Sequence, residues 1–332
     1  VSNLERDPAE FVGGTGTAGA DTAVLDSDAV EVLEPREVPL GGPRAMTVSR
    51  TLPQRRRSLI GGWCFIDHYG PDDVAASGGM RVPPHPHTGL QTVSWLFSGE
   101  IEHRDSVGSH AMVRPGELNL MTAGHGISHS EVSTPATRIL HGVQLWVALP
   151  GASRDTAPFF EHHVPVAGRL GPAEVRTFVG SLAGSGTPAT VFSPLLGAEL
   201  LVPAGTTVQI PLDTTFEHGL LVDAGDIRVA GTPVPRAHLA YLSEGRSTVE
   251  VEVGTEDARL ILLGGEPLGE QIVMWWNFIG RSHDDVVRYR SDWQGDVIAG
   301  GDPAGRFGEV EGYPGSPLPA PDLPTVRLKP RG

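Results

Sequence analysis

Two short motifs hold residues able to bind a metal. His85-Pro86-His87 sets two imidazoles two residues apart, and His129-Ser130-Glu131 does the same for an imidazole and a carboxylate. On an extended strand, residues i and i+2 project to one face. Two such strands side by side would bring three nitrogens and one carboxylate oxygen to a point. With one or two open positions, that set suits a mononuclear first-row metal and approaches the histidine–carboxylate pattern of non-haem iron. It contains no thiolate, which separates it from structural zinc sites of the finger type. Pro86 has no N–H to give to a ladder, so the first motif is expected at a strand start or a sheet edge.

A single His-x-His is common on a polar surface strand; the second motif downstream makes the metal reading the stronger one. Eight of the 13 histidines fall between His68 and His141. Among these, His125 shares the parity of His129 and Glu131, and Gln91 shares that of His85 and His87. Both are candidate pocket residues beside a metal. His68, His103, His110 and His141 read as satisfied polar residues. Glu161 and His163 repeat the i, i+2 spacing without a second pair to close a site, so a polar loop is expected there. His218 and His238 have no donor at that spacing, which leaves the second half without a comparable metal signature.

Strands must position these motifs. The chain has 43 glycines and 29 prolines among 332 residues, residues that helices tolerate poorly and tight turns use. Short alternating or apolar segments such as LQTVSWLFS (90–98), GISHSEV (126–132) and ILHGVQLWVAL (139–149) read as strands, separated by turn signals such as Pro115-Gly116. A second series runs from EVRTFVG (174–180) to ARLILLG (258–264). The expectation is an all-β chain with two tandem barrels: a flexible tail over 1–30, domains over 31–160 and 161–280, and a helix with an extended tail over 281–332. RSHDDVVRYRSDW (281–293) is the helix candidate, with Ser282 as its cap and Asp284 and Asp285 in its first turn.

The formal net charge of −15 repels phosphate backbones, so no nucleic-acid partner is expected. The basic cluster Arg55-Arg56-Arg57 reads as a solvated loop. No apolar run reaches the ~18 residues of a membrane span, and no signal peptide is expected at the N-terminus. The single cysteine, Cys64, cannot form an intrachain disulfide, which fits a cytoplasmic protein.

The histidine motifs and their surroundings resemble pirin, a bicupin family. The blocks HPHTGLQTVSWLFSGEIEHRDSVG, RPGELNLMTAGHGISHSE, HGVQLWVALP and GGEPLGEQIVMWWNFIGRSHDD carry the resemblance, the last of them towards the family's bacterial branch. The resemblance implies two cupin barrels (double-stranded β-helix, or jelly-roll, folds) packed face to face, with iron only in the first. Its metal ligands fall on His85, His87, His129 and Glu131. Gln91 stands where many members carry glutamate, and His125 where others often have a different residue, arginine among them. Two functions come with the family: quercetin 2,3-dioxygenase activity, and redox-sensitive regulation through binding a metabolic enzyme or transcription factor. In the first, Fe(II) would hold a deprotonated flavonol, Glu131 would take its proton, and Trp95, Phe97 and Met121 would supply apolar walls. The donor set also accepts Mn, Co, Ni, Cu or Zn. A purely structural, storage-like cupin is the remaining reading, and the intact ligand set speaks against it.

Overall fold

The computed structural model describes residues 29–40 and 46–332. All but the last two positions of the expected N-terminal tail lie outside these residues. Two β-sandwich barrels of the cupin type make up the body. In the first, the strands Phe159–His163, Leu118–Thr122, Leu90–Ser98, Ile139–Ala148, Trp63–Asp73, Met46–Leu52 and Arg36–Leu40 form one sheet in that order. It faces a four-stranded sheet ordered Arg81–His87, Ile127–Ser133, Ile101–Asp105, His110–Val113. The second barrel repeats the plan with an eight-stranded and a four-stranded sheet. All the described pairings between strands of these sheets are antiparallel.

The larger sheets pack on one another, and alternation along a strand shows how. In Ile139–Ala148, Val143, Leu145 and Val147 join an apolar cluster with Phe178, Leu221, Ile261 and Leu263 of the second barrel. Trp146 and Ala148, on the opposite face, join Met121 and Ile127 inside the first barrel. A strand buried on both faces needs a near-continuous apolar run, which is how this segment reads. Trp63 pins the seam: its indole N–H lies 3.2 Å from the Leu196 carbonyl and 3.1 Å from that of Gly264. Gly61 lies so close to Gly265 that a Cβ there would sit 2.6 Å from its Cα.

The chain crosses the boundaries drawn from sequence. Glu31–Leu33 pairs with Leu239–Leu242, so the first described strand belongs to the second barrel. Phe159–His163 pairs with Leu118–Thr122 and completes the first. This also places Glu161 and His163 on a strand, where a loop is expected from sequence. The hairpin Val273–Trp275/Phe278–Gly280 leaves the second barrel and touches the first, where Phe278 bridges to Thr88. Arg57 also reaches the seam, pairing with Glu31 and lying over the Tyr241 ring, while Arg55 and Arg56 are exposed.

The helix forms over His283–Asp292 and continues into a π-helical turn, Trp293–Ile298. Ser282 caps it and Asp285 completes a capping box, satisfying backbone donors at both positions. The residues beyond are extended, as their proline content implies, but they do not merely cover surface. Phe307 is buried, its carbonyl accepts from Ser128, and the N–H of Leu318 donates to the Pro84 carbonyl. The tail therefore braces both strands that carry the histidines.

Candidate metal centre

Among the described residues Arg81–His87 is an edge strand, paired with Ile127–Ser133 alone. Pro83, Pro84 and Pro86 withhold three donors, which an edge tolerates and a central strand would not. In the ladder His129 stands opposite His85 and Ile127 opposite His87. Gly124 sets up the turn that starts the partner strand. Its φ is +51°, and a Cβ would collide with the Thr156 carbonyl oxygen, so only glycine fits without strain.

His85, His87 and His129 are fully buried, and one ring nitrogen from each lies within 4.8 Å of the others. The opposite nitrogens fix which face points inward. His85 Nδ1 donates to the Pro83 carbonyl at 2.8 Å, and His87 Nδ1 donates to the Asn277 carbonyl at 3.1 Å. A carbonyl only accepts, so in the neutral rings both protons reside on Nδ1. Behind His129, the Asp105 carboxylate lies 3.1 Å from His103 Nε2 and accepts its N–H hydrogen bond. His103 Nδ1 is left as an acceptor, 3.4 Å from His129 Nδ1. With the Nδ1 atoms carrying the protons, Nε2 is the ring nitrogen left to accept a metal in each histidine. His87 Nε2 and His129 Nε2 are 3.1 Å apart, with no proton between them to make a hydrogen bond. Two nitrogens on a metal at ~2.1 Å and a right angle would lie about 3 Å apart.

Electrostatics agree. Burial pushes the His85 pKa down to about 4, and burial followed by repulsion from His85 holds His87 and His129 well below the usual histidine value. Neutral imidazole is the form that binds a metal. The residues present therefore fit a divalent first-row ion.

Glu131 is buried on the same strand but lies outside the tight histidine group. A bulge explains it: while His129 faces His85, Glu131 faces Val82, a step of two residues against three. Its Oε1 lies 3.4 Å from the Ser94 hydroxyl, which donates to Gln144 Oε1 at 2.8 Å. Gln91 does not reach the site. It follows the Thr88-Gly89 turn, so the strand parity of His87 does not carry over. Its amide instead donates to Thr122 Oγ1 and to the Thr190 carbonyl, on the side facing the second barrel. His125 sits in the turn before the strand, half-buried, with its carbonyl held by Arg306. Trp95 and Phe97 also belong to the seam, where Trp95 packs on Phe178 and Phe97 on His141. Met121, with Trp146 edge-on to His87, lines the first barrel. Cys64 is buried with its thiol pKa pushed well up, so it offers no thiolate.

From the sequence His103 reads only as a satisfied polar residue, and Asp105 and Asn277 draw no notice. His103 and Asp105 have i, i+2 spacing, a signal open to reading. Asn277 acts through its backbone carbonyl, which no side-chain pattern reveals.

The fold and the histidine-lined interior of one barrel define a bicupin with a metal-binding site in its N-terminal half. Residues 45–147 match the Pirin family profile, and 197–298 match that of the Pirin C-terminal cupin domain. A candidate quercetin 2,3-dioxygenase of Pseudomonas aeruginosa is 44% identical over 87% of this chain and 89% of its own length. A pirin-like protein of Caulobacter vibrioides is 36% identical over 74% of this chain and 88% of its own. The crystal structure of a quercetin 2,3-dioxygenase from Acinetobacter baumannii superposes with a TM-score of 0.83 at 38% identity, covering 90% of this chain and 97% of that one. The chain belongs to the pirin family.

Proposed function

We propose that this protein is an iron-dependent oxygenase of the quercetin 2,3-dioxygenase type. The observation that carries the reading is the set of three buried, proton-free Nε2 atoms of His85, His87 and His129. A metal cation bound there would be held by these nitrogens. Fe(II) bound there would supply Lewis acidity for a flavonol oxyanion and the electrons that activate O₂. Glu131 would join the ligand set or take the flavonol hydroxyl proton. The Ser94 hydroxyl lies 3.4 Å from its Oε1. Met121, Ile127 and Trp146 keep the surroundings apolar, which strengthens each charge interaction within.

The names of the relatives support the substrate class. Protein loaded anaerobically with Fe(II) and then given quercetin and O₂ should consume the two in equal amounts, releasing carbon monoxide and a depside. Unchanged quercetin at verified full iron occupancy overturns the reading.

A further inference from the structure

A second cluster of metal-capable side chains lies at the seam between the barrels. His68 and His141 stand on the strands Trp63–Asp73 and Ile139–Ala148 of the first barrel, and Asp223 on Glu217–Ala224 of the second. His68 Nε2 is 2.7 Å and His141 Nε2 is 2.6 Å from the same oxygen, Asp223 Oδ1. One ligand atom from each of the three lies within 4.8 Å of the others. His68 and Asp223 are buried, and His141 is 12% exposed.

Charge around the cluster favours a cation. Asp223 Oδ2 pairs with Arg259 at 3.2 Å, and the same guanidinium pairs with Glu199 at 3.2 Å. Two carboxylates against one guanidinium leave a net negative charge when both imidazoles are neutral. A polar cavity of about 380 Å³ reaches His68 from solvent, and adds Glu37 and Asp72 against Arg236. Arg236 is committed to backbone, donating to the carbonyls of Asp223 and Gly70. Of the three cluster residues, His68 lines this cavity, and His141 is the partly exposed one.

We propose that His68, His141 and Asp223 form a second divalent transition-metal site that clamps the two barrels together. Two imidazoles, one carboxylate and a water suit zinc or a neighbouring first-row ion. Without metal, Asp223 accepts a hydrogen bond from each imidazole. With metal, each neutral ring moves its proton to Nδ1 and presents Nε2 to the ion. The nitrogen–oxygen separations then open towards about 3 Å, a small movement for His141 at the rim. The site shares no residue with the histidine cluster of the first barrel, so it stands or falls separately from the oxygenase reading.

Zn²⁺ is the probe, being redox-silent. The full-length His85→Ala/His129→Ala protein, dialysed against excess Zn²⁺ and then metal-free buffer, should retain one equivalent and melt at a higher temperature than its metal-free form. Adding His141→Gln, which keeps an amide donor for Asp223 but removes the imidazole, should abolish both effects. If the double variant fails to fold, the wild-type chain gives the same comparison: two equivalents, against one in His141→Gln. A folded double variant that retains no zinc, or a stoichiometry unchanged by His141→Gln, overturns the proposal.

Discussion

Asp105→Asn tests the relay behind His129 because it changes one atom and reverses a proton order. Asp105 Oδ1 accepts the backbone N–H groups of Val107 and Ser109 at 3.1 and 2.9 Å, and Oδ2 accepts from His103 Nε2. An asparagine has one acceptor oxygen, and two backbone donors claim it. Its amide nitrogen must then face His103 Nε2 as a donor. His103 would shift its proton to Nδ1, and His129 would shift its own to Nε2, where the lone pair for the metal had been. Restoring that lone pair means turning the amide and giving up two hydrogen bonds, each worth ~0.5–1.5 kcal/mol. The cost is about 1–3 kcal/mol, or roughly 5- to 150-fold in metal affinity. Losses of 10- to 100-fold are usual when the partner behind a ligating histidine is altered. Competition with a chromophoric chelator measures it directly, with His103→Leu as the comparison. That variant removes the acceptor without imposing a wrong tautomer, so its loss should be the smaller. An Asp105→Asn protein that is folded and binds metal as tightly as the wild type would refute the proton assignment.

Three further outcomes follow from other parts of the fold. His218 is fully buried in the second barrel, and burial lowers its pKa from 6.5 to about 4. The unfolded chain therefore takes up this proton first as pH falls below 6.5, and stability drops until the folded form also protonates near 4. Urea melts at pH 7.5 and 4.5 should show the wild type losing about 2–3 kcal/mol more than His218→Leu; equal losses would exclude the effect. Gly124→Ala forces a side chain into the left-handed region against the Thr156 carbonyl. It should cost ~1–3 kcal/mol and lower metal content at fixed free metal, read by denaturant melts and elemental analysis. Ser282→Ala removes the cap of the helix His283–Asp292 and should cost about 1 kcal/mol; melts within error of the wild type would show that the cap bond contributes nothing.

The sequence by itself determined the local parts. Short apolar runs between turn signals marked strands such as Leu90–Ser98 and Ile139–Ala148 within a residue of their ends. The two-residue repeat of a strand's faces set His85 with His87, and the cap at Ser282 was legible because its bonds close within three residues. No helix of the described chain is long and apolar enough to cross a membrane, as the composition implied. What the sequence left open depended on partners distant along the chain. Parity ran across a turn for Gln91 and across a bulge for Glu131, and each time the face or level changed where the ladder broke. Trp95 and Phe97 are apolar on an inward-reading strand, but only the packing of one barrel on the other decides which inside they face. His68 and His141 read as ordinary polar residues until the second barrel brings Asp223 between them. The metal-binding form of His87 is held by a carbonyl 190 residues away, and contacts at that range exist only once the tertiary structure has closed.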